Sequence, residues 1–149
     1  MNQQQTILIA EDDENDVHLV QLALRRAGLK NPLQFVKDGQ EAIDYLCGNG
    51  LYGDRVAFPF PGVVITDIKM PRKTGLEVLQ WLSEHPDCSI IPSIVLSASA
   101  EPDDVLKAYQ LGVSTYFRKP SKIDELTEIL KAISHYWDLA VTPLLPAHC

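Results

Sequence analysis

Glu11 and Asp12 follow the apolar run Ile7-Leu8-Ile9-Ala10, and Asp67 follows Val63-Val64-Ile65-Thr66. Two further runs, Ile94-Val95-Leu96 and Thr115-Tyr116-Phe117, lead into Ser97 and Lys119. Short apolar runs of this kind predict buried strands. If those strands lie parallel in one sheet, the five side chains gather at its carboxyl-terminal edge, where open α/β sheets build their sites. The result is a cup of three carboxylates, one hydroxyl and one ammonium. At an effective dielectric near 20, a carboxylate pair about 4 Å apart repels by roughly 4 kcal/mol, so the cup must keep a proton or recruit a cation. Hard oxygen donors without His or Cys beside them favour Mg²⁺, which bridges carboxylates to phosphate oxygens. Beside Lys119 this makes a phosphate receptor, in which Asp67 is placed to attack a phosphoryl group and form an aspartyl phosphate. Lys119 and the Ser97 hydroxyl would hold the transferred oxygens.

Strand and helix signals alternate along the chain, as in βαβ units with a parallel sheet. Val17, Val20, Leu24 and Ala27 recur at helical spacing before Gly28. Leu33 to Lys37 predicts the second strand, and Asp38-Gly39 opens a helix through about Leu46. Residues 49–62, with three Gly and two Pro, predict a long irregular loop. Thr74-Gly75-Leu76-Glu77 reads as a capping box, in which hydroxyl and carboxylate each satisfy a free amide at a helix start. Pro102 suits the first turn of a fourth helix, and Ser121-Lys122-Ile123-Asp124 is expected to cap a fifth. Ile123, Leu126, Ile129, Leu130 and Ile133 form that helix's buried stripe. Five strands alternating with five helices, joined by right-handed crossovers, predict a doubly wound, flavodoxin-like (βα)5 three-layer α/β sandwich with strand order 2-1-3-4-5.

The 149 residues fit one ordinary domain, with no apolar stretch near the roughly 20 residues of a membrane span. The start, Met1-Asn2-Gln3-Gln4-Gln5, lacks the pattern of a signal peptide, so a cytoplasmic location is expected. A net charge of −7 argues against nonspecific nucleic-acid binding. Cys47, Cys88 and Cys149 are odd in number and far apart, which predicts reduced thiols. His85 near Cys88 and His148 beside Cys149 do not make a recognisable thiolate site.

Taken singly, each site residue has an ordinary explanation: a turn-forming Asp, a helix-end carboxylate, a strand-end Ser, a solvated Lys, a core Tyr. Their joint placement after four strands does not. Ile7-Leu8-Ile9-Ala10-Glu11-Asp12-Asp13, Asp67-Ile68-Lys69-Met70-Pro71, Leu96-Ser97-Ala98 and Tyr116-Phe117-Arg118-Lys119-Pro120 together resemble the response-regulator receiver domain of bacterial two-component signalling. The resemblance runs from Thr6 to about Asp138. It implies that Asp67 accepts a phosphoryl group from a histidine kinase. It implies too that Glu11, Asp12, Asp67 and the backbone carbonyl of Lys69 serve the Mg²⁺, and that Lys119 bonds the phosphoryl group. Ser97 and Tyr116 would form the conformational switch. Glu11 stands where Asp is commoner, which should leave a water between it and the metal, and Ser97 stands where Thr is common. The long loop and the motif Met70-Pro71-Arg72-Lys73-Thr74-Gly75 are similar to stand-alone receivers that serve phytochrome-type histidine kinases. Chemotaxis-type regulators and phosphorelay intermediates are the alternatives within the family. A receiver of this kind is not an enzyme beyond catalysing its own phosphorylation and slow dephosphorylation.

Three other functions compete. A phosphatase of the haloacid dehalogenase class needs a second Asp two residues after the nucleophile, where this chain has Lys69. A flavodoxin-like FMN carrier needs a phosphate loop where this chain has Glu11-Asp12-Asp13. A pseudo-receiver, never phosphorylated, usually lacks part of the acidic set. The receiver domain is expected to span residues 1–138, followed by an apolar tail, 139–149, too short for an output domain. Tyr136, Trp137, Leu139, Val141, Leu144 and Leu145 make that region apolar enough either to fold back or to build a homodimer. Lys69 and Ser99 are best placed to govern the water that hydrolyses the phosphoryl group. Neither is a strong base, which predicts a long-lived phosphorylated state.

Overall fold

A computed structural model describes residues 3–146 and 149. His148, which the sequence places beside Cys149, lies outside the described residues. The elements in chain order are β1 (Thr6–Ala10), α1 (Glu14–Arg26), β2 (Leu33–Val36), α2 (Gly39–Cys47), β3 (Pro61–Thr66), α3 (Gly75–Glu84), β4 (Ser93–Ser97), α4 (Pro102–Gln110), β5 (Thr115–Arg118) and α5 (Ile123–Leu139). All neighbouring strands pair in parallel, in the order β2-β1-β3-β4-β5. This is the doubly wound sandwich that the alternation predicts.

Successive strand residues point to opposite faces, and the sheet uses both. Ile7, Ile9, Val63, Ile65, Ile94 and Leu96 pack with Val20 and Leu24 of α1 and Leu126, Leu130, Ile133 and Trp137 of α5. Leu8, Ala10 and Val64 face the other way, onto Tyr45 and Leu46 of α2 and Val78 and Leu82 of α3. Val95 continues that second layer with Leu79 and Ala108. A strand buried on both faces reads as an unbroken apolar run, which is why β1, β3 and β4 are legible without periodicity.

Helix ends agree with the expected caps in most places. The Thr74–Glu77 capping box is complete, and Pro102 occupies the first turn of α4. Gly28 and Gly112 follow α1 and α4 with φ of 85° and 94°. The start of α5 differs: Lys122 is the N-cap and no side chain caps the helix, so Ser121 does not have the expected role. Ile123 and Ile129 are only partly buried, and Thr127 and Trp137 belong to the buried stripe instead. The helix is also long, and its later turns extend the stripe beyond Ile133.

The segment before β3 is more ordered than an irregular loop. Gly50–Gly53 forms a 3-10 turn. Tyr45, Tyr52 and Phe58 pack edge-on or tilted at centroid distances of 5.0–6.1 Å. Arg55 donates to the carbonyls of Tyr45 and Leu46 at 2.7 and 2.8 Å, closing the last turn of α2. Gly and Pro content signalled a loop, but not that its aromatics build a small core of their own.

The thiol expectation is overturned for Cys88 and Cys149. Cys88 and Cys149 are paired as a disulfide, with Cα atoms 5.6 Å apart, and Cys47 is free. A sequence separation of 61 residues hid the pair, because only the folded chain returns residue 149 to the α3–β4 connection. On the way, Thr142, Pro143, Leu144 and Leu145 line a small cleft with Gln5, Gly62, Ile90 and Pro92, at the amino-terminal edge of the sheet. Among the described residues no helix is long and apolar enough to cross a membrane.

Candidate functional site

Strand register delivers the site. Ala10 pairs with Thr66 and Thr66 with Val95, so Glu11 and Asp67 leave the sheet side by side. Backbone bonds carry the ladder past the strand ends. Glu11 donates to the Val36 carbonyl at 3.0 Å, Asp67 to that of Ala10 at 3.0 Å, and Lys119 to that of Ser97 at 2.7 Å. The sheet thus brings together Glu11, Asp67, Ser97 and Lys119 at one edge.

Carboxylate oxygens of Glu11, Asp12 and Asp67 lie within 4.8 Å of one another, a spacing that can hold one metal ion. Glu11 is buried, Asp67 half-buried and Asp12 exposed. At an effective dielectric near 20, a charged pair at 4.8 Å repels by about 3.5 kcal/mol. The Lys119 ammonium, buried among the carboxylates, donates to Glu11 Oε2 at 2.6 Å, Asp16 Oδ2 at 3.2 Å and Asp67 Oδ2 at 3.4 Å. One ammonium cannot neutralise three carboxylates, and an oxygen-only donor set of this kind suits a hard divalent cation.

Burial pushes the Glu11 carboxyl up to about 7, against the pull of the Lys119 hydrogen bond and the Asp13 amide. Burial alone would lower the Lys119 pKa, but hydrogen bonds and charge from Glu11, Asp67 and Asp16 more than offset it and hold it above the ordinary lysine range. The lysine therefore stays charged at neutral pH.

Asp16 is the residue that reading the sequence missed. Asp13 caps α1 by accepting from the Asn15 and Asp16 amides at 2.8 and 3.1 Å, and this sets the first turn so that the Asp16 carboxylate reaches Lys119. The available signal was an acidic residue in a first helical turn, which looks the same whether it serves the helix dipole or a neighbouring lysine.

The remaining residues lie around the cup. Lys69 is exposed on the β3–α3 loop, two residues beyond Asp67. Ser97 is buried, and its Oγ accepts from the Ser99 amide at 3.2 Å. The Tyr116 hydroxyl, half-buried, donates to the Ser99 carbonyl at 2.7 Å. Ser99 therefore bridges the two residues expected to form a switch.

A family model for the response regulator receiver domain matches residues 7–131. The chain is a response-regulator receiver. It is 34% identical over 146 residues to the response regulator Rcp1 of Synechocystis sp., covering 98% of this chain and 96% of Rcp1. The phosphorylated cyanobacterial phytochrome response regulator RcpA superposes with a TM-score of 0.86 at 32% identity, covering 95% of this chain and 99% of RcpA. The Mn²⁺-bound form of Rcp1 gives a TM-score of 0.83 at 31% identity, covering 94% and 99% of the two chains. This receiver is thus closely related to phytochrome response regulators of two-component signalling, and its acidic cluster has the character of the family's divalent-metal site.

Proposed function

We propose that this receiver accepts a phosphoryl group on Asp67 from a phytochrome-type sensor histidine kinase in the cytoplasm. The observation that carries the reading is the convergence of Glu11, Asp12 and Asp67 within 4.8 Å beside the buried Lys119 ammonium. An Asp67 oxygen attacks phosphorus in line as the bond from phosphorus to the histidine nitrogen breaks, and Lys119 exchanges a carboxylate contact for a phosphoryl oxygen. Glu11, Asp12, Asp67 and the Lys69 carbonyl would hold Mg²⁺, which when bound neutralises charge between carboxylates and the incoming phosphoryl group. The kinase assignment rests on likeness to RcpA and Rcp1. Acetyl phosphate, a small donor needing no kinase, should modify the wild-type protein with Mg²⁺ and leave it unmodified with chelator. Modification indifferent to chelator would overturn the metal's part.

Output runs through Ser97 and Tyr116. When the Ser97 hydroxyl turns from the Ser99 amide toward a phosphoryl oxygen, Tyr116 gains room to leave the Ser99 carbonyl. That alters the α4–β5–α5 surface read by a downstream protein partner. Ser97→Ala should accept the phosphoryl group at a rate within a few-fold of wild type, yet lose most phosphorylation-dependent change in Tyr116 side-chain NMR signals. A phosphorylation-dependent Tyr116 change as large as that of the wild type in this variant would sink the switch.

Dephosphorylation is slow in this reading, because Lys69 has no acceptor atom to draw a proton from water and Ser99 is no strong base. Lys69→Asn combined with Ser99→Glu should shorten the phosphoryl lifetime several-fold in a phosphate-release assay; an equal or longer lifetime would contradict it.

The α5 end and the tail support a homodimer proposal, since Tyr136, Leu139, Val141 and Leu144 are exposed. An apolar cleft of about 190 Å³ lies at Tyr136, lined also by Ile94, Phe117 and Ile133 among others. Truncation after Asp138, which keeps the buried Trp137, should convert a dimer to monomer in sedimentation, and an unchanged mass removes the tail from the interface.

A further inference from the structure

Arg72 is the single non-glycine residue at positive φ, 62°, among the described residues. A side chain enters that region at a cost that glycine avoids. The arginine is nevertheless used: its Nε donates to Asp38 Oδ2 at 2.8 Å. Asp38 is buried, caps α2 by accepting from the Glu41 amide at 2.8 Å, and follows the strand end whose Val36 carbonyl receives the Glu11 amide. Burial would raise the Asp38 carboxyl, but the Arg72 and Glu41 hydrogen bonds hold it below its ordinary value. One residue on, the Gly39 amide donates to the Lys73 carbonyl at 2.9 Å, at an approach that any Cβ on Gly39 would block.

The start of α2 therefore grips the 71–73 turn at two points. At the other end of the loop, Gly75 donates to the Ile68 carbonyl at 2.8 Å. Between these grips lie Ile68 to Pro71, with buried Met70 as the inner anchor and Lys69 facing out. The Arg72 side chain is 59% exposed, and a half-exposed ion pair stabilises a fold only weakly. Strained backbone kept for so small a return points to geometry rather than stability.

We propose that Arg72 and Asp38 are a positioning pair that latches the β3–α3 loop to α2 and so aims the Lys69 carbonyl at the metal. This rests on the metal reading above. Outer-shell partners of a ligand commonly change metal affinity by about 10–100-fold. Mg²⁺ titration by calorimetry on the full chain, with melting in chelator, tests it. Arg72→Gly relaxes the backbone and removes the pair. Its melting temperature should be unchanged or higher while Mg²⁺ binds about tenfold more weakly. Arg72→Lys should recover part of the affinity. Asp38→Asn, which keeps a capping oxygen, should weaken binding, and adding Arg72→Gly to it should cost little more.

Wild-type affinity in Arg72→Gly overturns the latch, as does a Lys variant no better than Gly, or a loss of affinity matched by a fall in melting temperature. A wild-type protein that binds no Mg²⁺ fails earlier and removes the metal reading itself, taking the latch with it.

Discussion

Asp67→Asn should abolish phosphorylation by acetyl phosphate and by a cognate kinase, with no residual modified species in intact-protein mass spectrometry. The amide has no nucleophilic carboxylate oxygen, yet it keeps the shape of the side chain and an oxygen that can accept from the Ile68 amide, a bond of 2.7 Å in the native protein. The variant should therefore fold. The loss would then be chemical and not structural, and near-native circular dichroism would establish that. Modification of the Asn variant at the wild-type extent would move the acceptor elsewhere, with Glu11, 2.6 Å from Lys119, the neighbouring carboxylate to test next.

Gly75→Ala should be among the most damaging single substitutions in the chain. A Cβ at residue 75 would fall inside contact distance of the Asp67 carbonyl oxygen, which is backbone and cannot rotate away. Overpacking of this kind costs about 1–3 kcal/mol or more. For a chain of this size, 3 kcal/mol corresponds to a fall of roughly 6–12 °C in melting temperature. Relief of the clash also means moving Asp67 or the start of α3, so phosphorylation should slow by at least about tenfold even where the fold survives. A variant with wild-type melting and wild-type phosphorylation would show that the loop yields without cost.

Gly75 also marks where reading residues stops and geometry begins. As a letter it sits inside Thr74-Gly75-Leu76-Glu77, where the capping box alone accounts for the segment. The close approach of the Asp67 carbonyl belongs to the folded loop. Asp16 is a similar case: its charge is visible, but its partner Lys119 is 103 residues away. Cys88 and Cys149 carry no local sign of pairing, and the aromatics around Arg55 declare themselves only once Tyr45 is placed against Phe58.

Much of the site was nonetheless legible in one dimension. Glu11, Asp67 and Ser97 stand at the ends of strands buried on both faces, and such strands write themselves as unbroken apolar runs, while Lys119 follows the partly buried edge strand β5. Parallel pairing then leaves little freedom about which edge the end residues share, and right-handed crossovers leave little about strand order. Unbroken apolar runs and chain connectivity thus sufficed for the sheet, its order and the acidic cup. Contacts between elements did not follow from either. The Asp38–Arg72 latch, the Asp16–Lys119 pair, the return of the tail and the uncapped start of α5 depend on side-chain packing at distances of a few ångströms. No short-range pattern encodes such contacts, because each is set by the summed placement of elements far apart in the chain.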